Sequence, residues 1–401
     1  MNVKSIKKCL CCYSKDIERV LKLAESPLTD AYTKSKDISL EKKKYPLELY
    51  LCKECSHLQL GFQVPPEESY KEYIYNSRVT PGLNKSFVQY AEILRNRNSK
   101  NRKINLLDIG SNDGSFLEAC NNIGFHAIGI EPAEALANHA NKLGRKTINS
   151  YLDKNLTKIF HKKGLCNKYD FITFNNVLAN INEPIEAIKI AKLMLKDKDS
   201  EIVIQTGYHP LQFSKGLFDY IYHEHFSYFS IKSMRAICKQ VNLKIDKYSI
   251  SDLRGGSIRF YLKDVTENKK NNEFINERFS SKEEIKGLEV LVQASKLHLE
   301  SILKSFKRKN YKIIGYGASH STGILVNNLN LVKYLDFLVD ENKAKHGLYM
   351  PGTSLKVHKT DKLYNSNNSV VIILAWQYFD LIREKLIQNK FKGKIVRPIL
   401  P

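Results

Sequence analysis

Residues Asn105–Ala133 read NLLDIGSNDGSFLEACNNIGFHAIGIEPA. Leu106, Leu107 and Ile109 make a short apolar strand that runs straight into Gly110-Ser-Asn-Asp-Gly114. An apolar helix follows through Phe116, Leu117, Ala119 and Cys120. A second strand, Ala127–Ile130, then closes on Glu131. A strand, a glycine turn, a helix and a second strand with an acidic tip make the opening unit of a Rossmann-like α/β domain. The glycines let the backbone turn tightly against a ligand, and the acidic tip can accept both hydroxyls of a ribose. A dinucleotide site would read G-x-G-x-x-G, with a helix N-terminus facing a pyrophosphate. Here Asp113 would repel a pyrophosphate. An acidic loop suits a cationic ligand instead, and S-adenosylmethionine carries both a sulfonium and an ammonium group. The expected donor contacts are Asp108, Gly110, Asn112, Asp113, Gly114 and Glu131, joined by Asn176 at the end of a later strand. The plainer alternative is an ordinary α/β turn with chance glycines.

Downstream, Ile221–Ser230 reads IYHEHFSYFS. It sets His223, Glu224 and His225 side by side among four aromatic rings, and a run so rich in proton-transfer groups is hard to explain as packing. Histidine is suited to a base role because its pKa lies near neutrality. If the segment is a strand, Glu224 and His225 point to opposite faces. In a loop they need not. His223 reads as a structural histidine.

Eight cysteines are present. Cys9-x-x-Cys12 and Cys52-x-x-Cys55 are two thiol knuckles, and in a chain without a secretion signal this pattern reads as a tetrahedral Zn²⁺ site rather than a disulfide framework. Four thiolates leave no open position for water, so the metal is structural. Cys11 is an extra thiol inside the first knuckle, and His57 is a weaker substitute ligand. Cys120, Cys166 and Cys238 read as core cysteines.

The chain has 401 residues, room for two or three domains. Its N-terminus, MNVKSIKKCL, has no apolar core followed by a small-residue cleavage site. Its longest apolar runs, such as Val370–Trp376, fall short of a membrane span. A soluble cytoplasmic protein without membrane insertion is expected. Sixty-four basic residues against 42 acidic ones give a net charge of +22. The excess is spread along the chain, as at Lys42–Lys44, Lys162–Lys163 and Lys307–Lys309, which argues for solvated faces over a nucleic-acid partner. An anionic nucleotide diphosphate would equally welcome a basic cleft. Glu283–Lys307 carries Ile285, Leu288, Leu291, Ala294, Leu297, Ile302 and Leu303 at helical spacing and predicts an amphipathic connector. KIIGYGA, Lys312–Ala318, opens a second strand–glycine–helix unit, followed by apolar strands over Tyr334–Val339 and Val370–Trp376.

LLDIGSNDGSFL, GIEPA, FNNVLANINEP, YHEHFSYFS and GGSIRFYL, in this order, resemble the zinc-containing sugar C-methyltransferases, enzymes that methylate nucleotide-linked keto-deoxysugars. The resemblance runs from Cys9 to the C-terminal RPILP. It implies an α/β protein in several parts. These are a zinc module over residues 1–70, a class I methyltransferase (Rossmann-like) domain over 71–265, a connector helix over 266–310 and a second Rossmann-like α/β domain over 311–401. It also implies a reaction. A ring carbon becomes a nucleophile when a neighbouring ketone acidifies its C–H bond, a base removes the proton, and donors stabilise the enolate. By resemblance the base is His225, supported by Glu224, with Tyr222 lining the sugar pocket. Tyr75, in the pair Tyr73–Tyr75, reaches the same site.

Two positions depart from the family pattern. Asn180 stands where members often have His, and cannot titrate. In Gly315-Tyr-Gly-Ala-Ser-His-Ser-Thr-Gly323, Ser321 and Thr322 replace a common Lys-Gly pair, so the sugar or its handle can differ. His320 is a candidate substrate contact. The expected activity is S-adenosylmethionine-dependent C-methylation of a nucleotide-diphosphate-linked 4-keto-deoxysugar for a surface polysaccharide or glycosylated product. The alternative is O- or N-methylation of a nucleotide-linked sugar, which needs no enolate and leaves the His-Glu-His run over-equipped. From another class, a zinc-bearing nucleic-acid-binding protein with a vestigial donor domain is opposed by the intact G-S-N-D-G loop and Glu131.

Overall fold

The computed structural model describes residues 3–64, 83–98, 103–162, 164–265, 278–365 and 368–400. The N-terminal part is built on β1 (Lys4–Ser5), β2 (Ile17–Ser26), β3 (Tyr45–Cys52), β4 (Leu58–Leu60) and β5 (Phe62–Gln63). β2 and β3 pair antiparallel, β4 adds to β3, and β1 pairs with β5. The first cysteine knuckle precedes β2 and the second sits in the turn between β3 and β4, so one end of this sheet carries all four thiols.

The glycine-loop unit opens a seven-stranded sheet. β6 (Ile104–Ile109), β7 (Phe125–Glu131), β8 (Thr147–Asn149), β9 (Phe171–Asn175) and β10 (Glu201–Gly207) run parallel. β11 (Ser227–Tyr228) leaves this sheet and pairs with β4, giving the N-terminal sheet the order β11-β4-β3-β2. β12 (Leu243–Ser251) and β13 (Ser257–Asp264) return antiparallel, and the full order is β12-β13-β10-β9-β6-β7-β8. This is the class I methyltransferase arrangement that the family resemblance implies. The central strands read as near-continuous apolar runs because both faces are covered. Phe87, Tyr90, Phe116 and Leu117 pack on one face, and Ile185, Ile188 and Met194 belong to the core of the other.

The C-terminal part is a five-stranded, all-parallel sheet. Its strands are β14 (Lys312–Tyr316), β15 (Phe337–Val339), β16 (Val357–His358), β17 (Ser369–Ile373) and β18 (Lys394–Val396), in the order β16-β15-β14-β17-β18. Two apolar runs are shorter as strands than their hydropathy suggests. Tyr334 and Leu335 are buried beneath a single turn of 3₁₀ helix, Leu331–Lys333. Trp376 begins another such turn, where its Nε1 donates to buried Asp219 at 3.1 Å.

The connector is a helix over Lys282–Arg308, started by a reciprocal cap between Ser281 and Glu284. Its buried stripe is Ile285, Leu288, Val292, Ser295, Leu299 and Leu303, and it packs against β2 and β14. Leu297 is on the outer face, 67% exposed, contrary to the apolar spacing. No helix among the described residues is long and apolar enough to cross a membrane.

Candidate functional site

In open α/β sheets, ligands bind beyond the carboxyl ends of strands, where the strand order reverses. This chain has two such points: between β6 and β9 in one sheet, and between β14 and β17 in the other. Both open on a single cavity of about 680 Å³. Gly110–Asp113 after β6 and Asn176, Val177, Ala179 and Asn180 after β9 form one wall. Ser319–Ser321 after β14 and Ala375, Gln377 and Tyr378 after β17 form the opposite one. Tyr222, Glu224 and His225 lie between them.

On the first wall, Glu131 ends β7 with its carboxylate held by two backbone donors, Asn112 N at 2.9 Å and Ala133 N at 2.8 Å. Burial raises its pKa above the ordinary value while those two hydrogen bonds oppose the rise. Asp108, inside β6, accepts the Thr173 hydroxyl at 2.6 Å and the Asn175 amide at 2.9 Å, and burial pushes it up to about 7. Two carboxyls strained toward protonation beside one cavity suit a cationic ligand, which would restore their charge. Asn112 and Asn176 take positive φ values of 52° and 57°, turning the backbone around the cavity rim. Asp113 also lines it, while its Oδ1 accepts the Ser115 N–H at 3.1 Å.

Gly114 closes the same turn as Gly110–Asp113. It stands at the head of helix Ser115–Asn121 with φ of 71°, and a Cβ there would come within 2.8 Å of the Arg145 side chain.

The His-Glu-His run is a turn; β11 begins only at Ser227. Released from strand alternation, Glu224 and His225 both face the cavity. His225 Nε2 lies 2.7 Å from the Tyr222 hydroxyl, the two rings tilted at 4.1 Å between centroids. Burial pushes His225 down to about 3, so its ring is neutral at physiological pH. Burial pushes Glu224 up to about 7. Glu224 Oε2 and Asn180 Oδ1 are buried without hydrogen-bond partners among the described residues, and both residues line the cavity. Polar atoms left this way are commonly completed by a ligand or water. His223 points elsewhere, toward the Tyr45 carbonyl at 3.3 Å, and is packed as a structural histidine. Tyr75 lies outside the described residues.

The cysteine knuckles close on each other. Cys9, Cys12, Cys52 and Cys55 place their sulfurs within 4.8 Å of one another, with Cys9–Cys55 at 3.5 Å and Cys12–Cys52 at 3.6 Å. Tetrahedral zinc with Zn–S bonds of about 2.3 Å holds its thiolates about 3.8 Å apart, so the four residues fit the ion. Cys11 stays outside this group, its N–H donating to Cys9 Sγ at 3.3 Å. His57 is turned away, packed on Phe229 with Nε2 3.3 Å from Ser227 Oγ. Cys120 and Cys238 are buried as core residues, whereas Cys166 is half-buried.

Sequence reasoning missed Arg254, Gln377 and Tyr378, which also line the cavity. The last two carry a readable signal: they follow the strand paired with the KIIGYGA strand, where a parallel sheet places ligand contacts. Arg254 carries a weaker one, standing before Gly255-Gly256 at φ of 52°.

Known proteins match this division of labour. A zinc binding domain model matches residues 9–70, a methyltransferase domain model matches 85–248, and a C-methyltransferase C-terminal domain model matches 252–400. The C-methyltransferase NovU of Streptomyces niveus is 21% identical over 411 residues, covering 99% of this chain and 96% of that protein. Over its length the chain is similar to zinc-containing C-methyltransferases. Solved structures match it more partially. The plantazolicin methyltransferase BpumL in complex with SAH has a TM-score of 0.37 at 17% identity, over 47% of this chain and 86% of that one. The magnesium protoporphyrin IX methyltransferase from Synechocystis PCC 6803 has a TM-score of 0.33 at 15% identity, over 45% and 78%. As a C-methyltransferase, the protein uses S-adenosylmethionine and carries zinc. In this C-methyltransferase the four-thiol group is the zinc site that the geometry offers.

Proposed function

We propose that this C-methyltransferase acts on a nucleoside-diphosphate-linked 4-keto-deoxysugar, in the cytoplasm, in making a surface polysaccharide or glycosylated product. The donor would lie along Asp108, Gly110, Asn112, Asp113, Gly114, Glu131 and Asn176; when bound, it supplies an electrophilic methyl group on a positively charged sulfur. The sugar would lie between that wall and the one made by Ser319–Ser321 and Tyr378. The boundaries at residues 70, 265 and 310 are proposed as the divisions of zinc module, donor domain, connector and C-terminal domain.

One observation carries the reading: a neutral, buried imidazole, His225, opens on the same cavity as the donor wall. Oxygen or nitrogen nucleophiles can be methylated with little help. A carbon beside a ketone first has to lose a proton, and that requires a base kept unprotonated. His225 Nε2 and the Tyr222 hydroxyl form one proton-accepting unit, so the proton taken from carbon ends on Nε2. Arg254, on the cavity wall, suits the anionic handle of such a substrate.

The deciding measurement is solvent exchange. With the product form of the methyl donor bound, the wild type is expected to exchange the sugar's acidic C–H for deuterium in heavy water, and His225→Asn to lose that exchange. A product carrying a methoxy or methylamino group, formed without C–H exchange, overturns this reading in favour of O- or N-methylation.

A further inference from the structure

The cavity holds a second imidazole beside Tyr222. His320 begins the helix His320–Asn328, and its ring centroid is 5.4 Å from that of Tyr222, whose hydroxyl serves His225. The two histidines have different partners. His320 Nε2 faces a carboxylate, Asp30 Oδ2, at 3.9 Å. Asp30 comes from the N-terminal segment after β2 and is only 5% exposed. Its other oxygen accepts Lys345 Nζ at 2.8 Å, and the same Nζ donates to the Ala318 carbonyl at 2.7 Å. Three distant stretches of sequence therefore meet behind one cavity-lining ring. A buried ion pair is a poor source of stability, because desolvation offsets much of the attraction. One placed directly behind a cavity imidazole calls for a functional account.

Building on the carbon-methylation reading above, we propose that His320, oriented by Asp30 and Lys345, donates the hydrogen bond that stabilises the substrate's ketone oxygen as it becomes an enolate, across the cavity from the base His225. In that step the C–H proton passes to His225. The C–H electron pair forms the new carbon–carbon double bond, and the carbonyl pair moves onto oxygen, which accepts from a His320 ring N–H. When the carbon is methylated the pair returns, the ketone reforms and His320 keeps its proton. Nothing is oxidised or reduced.

His320 is the catalytic residue here, and Asp30 and Lys345 are positioning residues. A contact of 3.9 Å is longer than a hydrogen bond, and contacts of this kind tighten when substrate fills a site. Burial lowers the pKa of the His320 ring; Asp30 opposes that fall, while Lys345 and Arg254 add to it, so the neutral ring serves as an N–H donor. Both rings are lowered by burial, and what sets His320 apart from His225 is its carboxylate neighbour, Asp30.

The test titrates full-length protein labelled with ¹⁵N-histidine, comparing wild type with the isosteric Asp30→Asn and using His320→Gln to identify the His320 signal. The His320 midpoint is expected to fall in Asp30→Asn while that of His225 stays in place, a change that a merely structural pin would not cause. With dTDP-4-keto-6-deoxyglucose as the probe, both variants should lose ~10²–10³-fold in kcat, the weight of one oxyanion donor, with donor affinity unchanged. Asp30→Glu should recover part of the loss. An unmoved His320 midpoint, or His320→Gln turning over at the wild-type rate, overturns the proposal. A wild type that leaves the sugar C–H untouched overturns the functional reading itself. A His320→Gln variant that exchanges that C–H as fast as the wild type removes only the role of His320.

Discussion

Tyr222 holds its hydroxyl 2.7 Å from His225 Nε2, within a turn that also carries Glu224 into the cavity. The phenol orients the imidazole while burial keeps the ring neutral. His225→Asn is therefore expected to bind donor and substrate normally and to lose ~10²–10⁴-fold in turnover, the usual range for a general base. Tyr222→Phe should retain more activity than His225→Asn. Steady-state kinetics alongside calorimetry checks both, and a His225→Asn enzyme with near-normal kcat removes this residue from the reaction.

Glu131 is the test of the donor wall. Its carboxylate is already fixed by the Asn112 and Ala133 N–H groups, so its free lone pairs are aimed before the ligand arrives. Glu131→Ala should weaken S-adenosylmethionine binding by about 1–3 kcal/mol, the range for a hydrogen bond to a charged group. Equal calorimetric affinities in wild type and variant would place the ribose elsewhere.

Elemental analysis of protein purified without chelators should find one zinc per chain. Metal binding to such a site is coupled to folding, so stripping it should release the N-terminal sheet. Loss of strand signal and increased proteolysis near Cys52 are the expected readouts. Protein that contains no zinc yet keeps a protease-resistant N-terminus would contradict the assignment.

Stability should pass through a maximum near pH 6.5. Burial raises Asp108, Asp219 and Glu224 to about 7. The native chain therefore holds these protons where the unfolded chain has released them, and the associated stability is present below the ordinary carboxylate range and lost as pH rises through 7. His57, His209, His223, His225 and His320 are pushed down by burial, His57 and His225 to about 3 and His223 to about 4, and they outnumber the three carboxyls. Their contribution is present above 6.5 and lost as pH falls toward those values. From 6.5 to 8 only the carboxyl set is titrating, so the thermal midpoint should fall across that interval. Asp219→Asn should flatten the fall; an identical slope in the variant would show that Asp219 does not titrate there.

The first wall of the cavity was legible because its parts are local. The Gly110–Gly114 turn and Glu131 belong to one strand–helix–strand unit, and the two cysteine pairs announce themselves by spacing. A glycine that approaches a ligand and one that shapes a turn look alike in sequence, as at Gly110 and Gly114. His225 and Glu224 were identifiable as residues but not as cavity neighbours, since strand alternation argued against it and the backbone there is a turn. The opposite wall was mostly silent. Asp30 and Lys345 are ordinary charged residues in their own neighbourhoods, and they acquire meaning only when β2 is packed against the helix His320–Asn328. Leu297 kept helical spacing yet faces outward because the connector's stripe follows Val292 and Leu299 instead.

β11 closes the N-terminal sheet with residues taken from beside the His-Glu-His turn: Ser227 pairs with Gln59 and Tyr228 with Leu58. His57 and Ser227, which meet in the finished sheet, are 170 residues apart in sequence. A chain leaving the ribosome therefore makes its cysteine knuckles early and cannot complete the sheet that carries them until most of the central domain has been synthesised. Such distant pairing is slow, and it leaves the β4 edge open to other partners in the meantime. Metal capture before β11 arrives would hold that nascent edge in shape.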